Sequence, residues 1–227
     1  MNIVVISEVD QFESKLTGYS HLLNFKYMNL CVKATPVSLL PVTVLVDGEP
    51  KEIEDVAEVA QTDEFHLAVI PKAKGTVMDI NQGILSVHPE FKLNVAQLDD
   101  DDPGSQFLSY EMPEVDKDRR DFLDKAVKSL YDECKARMDE LKAEELEVFA
   151  DIFSSHPEDL KEASDAIDEA YDKGIADIRE LLDKKRDEIE EAYLKYQGNH
   201  PEGGQIFDNN GSDTDITQGM TMASYDE

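Results

Sequence analysis

The chain has no tryptophan, two cysteines, no long apolar run, and 22 basic residues against 51 acidic ones among its 227. Each shortage excludes something. Cys31 and Cys134 lie far apart, without C-x-x-C spacing and without histidines at metal-ligand intervals, so neither a disulfide framework nor a zinc site is expected. No segment approaches the length of a membrane span. The opening Met-Asn-Ile-Val-Val-Ile-Ser lacks a basic flank and runs into Glu8 and Asp10, a poor signal peptide, so the expected compartment is the cytoplasm and the sequon at Asn210 is discounted. The scarcity of cations leaves a formal charge of −29, which repels polyanions at long range and restricts nucleic-acid contact to local basic patches. The same balance also fits a salt-adapted protein, or an acidic one that occupies a basic protein partner. His21, His66, His88, His156 and His200 are scattered, and no serine or cysteine sits in a nucleophile context, so no enzyme and no cofactor is expected. Asp99 to Asp102 and the group Asp208, Asn210, Asp213 and Asp215 lack EF-hand spacing, so no metal is expected either.

What is present is a strong helical period at both ends of the chain. From about Glu8 to Leu30, the residues Phe12, Leu16, Tyr19, Leu22, Leu23 and Tyr27 predict one helix face. Between Thr35-Pro36 and Glu111 the texture changes to short β-branched runs at 42–46, 56–60 and 65–70, punctuated by Asp47-Gly48, Pro50 and Thr62-Asp63. Val77, Ile80 and Ile84 mark one short helix over 75–85, and 92–96 and 107–111 read as further strands. Asp116 is the expected cap of a long helix reaching about Ser154, with Phe122, Ala126, Leu130, Cys134, Met138, Leu141 and Val148 as its apolar stripe. After Ser155-His156-Pro157 a second long helix carries Leu160, Ala163, Ile167, Ala170, Ile178, Leu181, Ile189 and Tyr193. Spacings of three and four sustained over several heptads predict a bundle of helices roughly 50 Å long at ~1.5 Å per residue. The expected class is therefore α+β: an elongated three-helix bundle, discontinuous over 1–31 and 112–196, interrupted by a small β-rich (β/α) domain at 32–111. Residues 197–227, poor in large apolar side chains, are expected to be a disordered acidic tail.

Three segments, in order, resemble the ribosome recycling factor family. Lys33-Ala34-Thr35-Pro36 with Ser38-Leu39-Leu40 is similar to the family's G-R-A-S/T-P-x-L-L junction, and Phe91-Lys92-Leu93-Asn94 to its L-G-L-N-P. Met112 through Arg120 is similar to its P-P-L-T-E-E-R-R at the start of the second helix. The resemblance covers roughly residues 10–196. It implies a non-enzymatic monomer that binds large-subunit ribosomal RNA after termination and works with elongation factor G to release subunits. Independently of the resemblance, the insertion leaves the bundle and re-enters it near 31–34 and 111–113, so two connections cross the boundary and a hinge is expected at Lys33, Ala34, Met112 and Pro113.

The family meets RNA largely through arginines in A-R-V-A-V-R-N-V-R-R-D, and here the aligned stretch is Cys134 through Glu144. Lys135 and Lys142 keep positive charge, but Asp139 stands at the central arginine, Ala143 at the last, and Leu30 at an arginine of the first junction. Independently of any family, Lys128, Asp132, Lys135, Asp139 and Lys142 are spaced four, three, four and three, one helix face of alternating sign and net +1. A cation at 139 would make it +3. Candidate RNA contacts are therefore Lys33, Arg119, Arg120, Lys128, Lys135 and Lys142. The plain alternatives are a salt-bridged solvated face for the lysines and pairing with Asp116 and Asp118 for the two arginines. A changed partner, a basic protein instead of RNA, is the alternative that the acidic substitutions raise.

Overall fold

The computed structural model describes residues 3–97 and 106–201. Three helices, α1 (Ile3–Met28), α4 (Lys117–Ile152) and α5 (Pro157–Asn199), form the bundle, and the 36- and 43-residue lengths of α4 and α5 make it a rod. Ion pairs give the directions. Lys15–Glu145 and Lys26–Glu133 run α1 antiparallel to α4, while Arg186–Asp124 and Lys142–Asp168 run α5 antiparallel to α4. Asp116 caps α4 by accepting the Arg119 amide at 2.8 Å, as its sequence position predicts. Pro157 opens α5 in the first turn, where its missing N–H costs no hydrogen bond.

The buried stripe of α4 differs from the expected one at both ends. Cys134, Met138 and Leu141 are buried, but Phe122 and Val148 are 65% and 44% exposed, and the core takes their neighbours Leu123 and Phe149 instead. Counting back from Cys134 by seven and eleven reaches Val127 and Leu123, and counting on from Met138 by eleven reaches Phe149. The helical period thus chooses within each adjacent apolar pair, where composition cannot. Leu22 on α1 is likewise 41% exposed beside buried Leu23. On α5 the gap between Ala170 and Ile178 is filled by Gly174, where Leu16 of α1 packs against the bare backbone.

Between α1 and α4 the chain builds the smaller unit. A 3-10 turn (Pro36–Leu39) leads to the hairpin β1 (Thr43–Val46) and β2 (Glu49–Glu52), closed by Asp47 and Gly48 at φ 53 and 81. Two consecutive positive φ values are what a two-residue hairpin turn requires. The one-turn helix α2 (Ile53–Val56) follows, then β3 (Ala57–Gln61), β4 (His66–Pro71), α3 (Val77–Val87), β5 (Lys92–Gln97) and β6 (Gln106–Glu111). The last four strands form an antiparallel sheet in the order β3-β4-β6-β5. Gly83 lets α3 approach β1 so closely that a Cβ there would sit 2.9 Å from the Thr43 carbonyl oxygen.

This unit has its own core around Leu39, Val44, Ile53, Leu67, Ile80, Ile84, Leu108 and Tyr110. At each crossing the chain passes from one core to the other within a few residues: Val32 packs in the bundle and Ala34 in the small unit, Met112 in the small unit and Val115 in the bundle. Both crossings are fastened to the turn before β4. The Ala34 amide donates to the Glu64 carbonyl and the Met112 amide to the Phe65 carbonyl, each at 2.8 Å. At the far end α5 continues past Tyr196 to Asn199. Asp99 to Asp102 and the residues from 202 onward, including the acidic tail, lie outside the described residues.

Candidate nucleic-acid interface

The five charges on α4 do not form the expected ladder along that helix. Lys135 Nζ donates to Asp139 Oδ2 at 2.7 Å, but Lys142 reaches across to Asp168 of α5, also at 2.7 Å. Between them stands Tyr171 of α5, whose hydroxyl donates to Asp139 Oδ1 and whose ring lies 4.3 Å below the Lys142 ammonium. Hydrogen bonds from Lys135 and then Tyr171 hold the Asp139 carboxyl below its usual range. The same Asp139 bond pushes Lys135 up. The result is a neutralised clamp between helices with little charge to offer a phosphate. Lys128 and Asp132 are exposed and have no ion pair among the described residues. Ala143 is exposed, whereas Leu30 is half-buried against the bundle core, so position 30 supports packing.

The two arginines at the start of α4 are committed to the protein. Arg119 is 15% exposed; its Nη2 donates to the Cys31 carbonyl at 2.9 Å and lies 4.0 Å from Glu90. Its Nε is buried without a partner. Instead of pairing with Asp116 and Asp118 through its side chain, Arg119 bridges the bundle to the small unit. Arg120 binds Asp121 at 2.8 Å, approaches Glu190 at 3.8 Å, and covers the Tyr193 ring at 4.8 Å.

Behind Arg119 lies a cluster that the sequence did not reveal. His88 is fully buried, with Nε2 2.8 Å from the Ser38 carbonyl, Nδ1 3.4 Å from Glu90 and 3.9 Å from Cys31 Sγ, and its ring stacked on Phe91 at 4.7 Å. Burial opposes the imidazolium, but the bonds to Cys31 and Glu90 outweigh it and push the ring up to about 10. Burial works against the Glu90 carboxylate too, but the bond from His88, a backbone hydrogen bond and the charges of His88 and Arg119 together outweigh it, holding it below its usual range. Cys31, His88 and Arg119 are separated by 57 and 31 positions and share no periodicity, so no spacing rule could have joined them. Among the described residues no three side chains gather as metal ligands, and no helix is long and apolar enough to cross a membrane.

Lys33 lies at the crossing between Val32 and Ala34, half-buried on the wall of a cleft that α5 closes from the other side. Ala34 and Met112 are buried in the small unit's core, and Pro113 follows as the first residue out of it.

A family model described as ribosome recycling factor matches residues 24–189. A solution structure of a ribosome recycling factor superposes with a TM-score of 0.67 at 15% identity, covering 84% of this chain and all of that one. A chain of the models for the T. thermophilus ribosome recycling factor and the E. coli elongation factor G bound to the E. coli post-termination complex matches with a TM-score of 0.54 at 22% identity, covering 82% of this chain and 98% of that one. At these identities the structural likeness establishes the fold. No curated protein sequence matches.

Proposed function

Since this chain belongs to the ribosome recycling factor family, we propose that it binds the ribosome after termination and, together with elongation factor G, promotes release of the subunits. The observation that carries this reading is the family match itself, which runs from α1 through the whole small unit and nearly to the end of α5. The task asks for binding and mechanical displacement, not bond chemistry, and suits a rod carrying a second compact unit on two connections. Motion of that unit is assigned to Lys33 and Pro113, because Ala34 and Met112 are buried in the small unit and fastened to Glu64 and Phe65. The partners are large-subunit ribosomal RNA and elongation factor G, the protein acts as a monomer, and its place is the cytoplasm.

Among the candidate contacts, Lys33 and Lys128 are the best supported by availability. Lys135 and Lys142 contribute less while Asp139 and Asp168 hold them, and Arg119 and Arg120 are occupied. The alternative of a basic protein partner rests on net charge and Asp139, and neither the fold nor the comparisons add to it. The test is polysome breakdown and subunit splitting with purified protein, elongation factor G and GTP at two salt concentrations. Acceleration of both is the expected result; no effect on either at low salt rejects the reading.

A further inference from the structure

We propose that the cleft between the end of α1, the Pro36–Leu39 turn and α5 binds a backbone phosphate of RNA, gripped from opposite walls by Lys33 and Lys184. The proposal rests on the ribosome-binding reading above and names a contact on α5 that the sequence comparison with the family's second-helix motif does not supply. The cleft has a volume of about 220 Å³. Lys33, Lys184 and Lys185 line it together with the polar side chains of Asn24, Thr35 and Ser38. Three lysines converge here in a chain with 22 cations against 51 acids.

The three lysines have different jobs. Lys185 is buried and donates to Glu188 at 2.9 Å, so it is internally compensated. Lys33 and Lys184 have no ion pair among the described residues, so the cleft keeps a positive excess after Glu188 is counted. This is the reverse of the α4 face, where Lys135 and Lys142 each meet a carboxylate at 2.7 Å. Two lysines without an ion pair on the lining of one cleft suit a phosphate, which lysine binds as a point charge. Met28 and Val37, 40% and 45% exposed, add apolar walls on which a ribose or base can rest. Lys33, Thr35 and Ser38 belong to the junction and the small unit, whereas Lys184 belongs to the bundle. A phosphate held between them therefore favours one setting of the hinge.

The test uses the full chain and the charge-neutral variants Lys33→Gln, Lys184→Gln and the double variant, with Lys173→Gln, elsewhere on α5, as a control for general charge. Binding to large ribosomal subunits is measured by sedimentation across a salt series. NMR titration with a mixed-sequence single-stranded RNA oligomer supplies the second readout. Thermal unfolding checks that each variant folds.

The expected result is that Lys184→Gln weakens subunit binding about threefold to tenfold at low salt and flattens the salt slope by about 0.7 to 0.9, the share of one phosphate. The double variant should lose less than the sum, because both lysines serve one phosphate. Signals of the cleft should move with the oligomer in the parent and stay still in Lys184→Gln. If the parent binds subunits and Lys184→Gln matches it in affinity and slope, the cleft assignment fails and the ribosome reading stands. If the parent does not bind subunits but the oligomer moves the cleft signals, the ribosome reading fails and the RNA site stands. A loss in Lys173→Gln equal to that in Lys184→Gln, or subunit binding that needs Lys184 with no oligomer response, overturns the cleft as an RNA site.

Discussion

Asp139 is held from two helices at once, by Lys135 at 2.7 Å and by the Tyr171 hydroxyl, so substitution there touches packing as well as charge. Replacing it with Arg releases Lys135 and places a cation one turn from both lysines. Ribosome affinity should rise at low salt, and the gain should shrink as salt is added, because it comes from phosphate neutralisation. The structure adds a cost that exposure alone does not indicate: Tyr171 loses its acceptor, and thermal unfolding should register a loss of about 0.5 to 1.5 kcal/mol. A variant that folds yet binds no better at low salt removes this face from the interface. Glu145 poses the opposite problem. It is buried in the bundle, its nearest cation is Lys15 at 3.9 Å, and burial, only partly offset by Lys15, pushes its carboxyl above the usual range. A raised folded-state pKa means that ionised Glu145 destabilises the fold at neutral pH and ceases to do so as pH falls through that pKa toward the unfolded value. Glu145→Gln should therefore stabilise the protein at pH 7 by about 0.5 to 2 kcal/mol, and the advantage should fade by about pH 4.5. An advantage that stays constant with pH would show that side-chain shape, not charge, sets the cost.

The end of α3 and the start of α4 meet at the buried group formed by Cys31, His88, Glu90 and Arg119, and their meeting couples the two units. The His88 ring is pushed up to about 10 from an unfolded value near 6.5. Its charge-assisted bonds thus contribute fully below about pH 6.5 and are lost as pH rises through 10. Thermal unfolding followed from pH 6 to 10 should show stability falling by up to about 3 kcal/mol, the scale of a hydrogen bond to a charged group. His88→Gln keeps a donor for Ser38 but carries no proton to lose, so its profile should be flatter; equal slopes in both proteins would clear His88 of the effect. Nothing local in the sequence marks this junction, because its members come from three separated segments, at 31, 88–90 and 119. Contrast the helices, whose apolar spacing alone located α1, α4 and α5 but left open their phase, at Phe122 against Leu123 and Val148 against Phe149, and their ends, since α1 begins at Ile3 instead of near Glu8 and α5 runs to Asn199 into the stretch expected to be tail. Strand β2 was invisible for a third reason: Glu-Pro-Lys-Glu is exposed throughout and pairs with β1 only because Asp47 and Gly48 turn the chain back on itself. The family's basic positions were legible as identities, and so was the Lys135–Asp139 spacing, but that Lys142 is compensated depends on Asp168 and Tyr171 of α5, and pairing across helices has no signature in one strand of sequence.

For the whole molecule, charge sets two responses to salt that run in opposite directions. With 51 acidic against 22 basic residues, the folded chain confines negative charges that repel one another, and screening relieves that repulsion. The ion pairs that span the units act against it. Lys195 binds Glu64 and Arg119 approaches Glu90, and screening weakens such pairs. Exposed pairs contribute at most about 1 kcal/mol each, whereas the excess of carboxylates is distributed over the entire surface. Repulsion should therefore dominate. Thermal stability should rise as sodium chloride is raised from about 0.05 to 1 M, beyond the ~10 Å screening length reached at 0.1 M. Ribosome binding should weaken over the same range, because the counterions that phosphate contacts release enter a more concentrated salt solution and gain less entropy. The two curves, measured on one preparation, separate the roles of the acidic surface. If stability rises while binding falls, the carboxylates are a burden that salt relieves and the lysines make the contact. If stability instead falls with salt, the bridges between bundle and small unit outweigh the general repulsion, and Lys195→Gln should then remove most of the dependence.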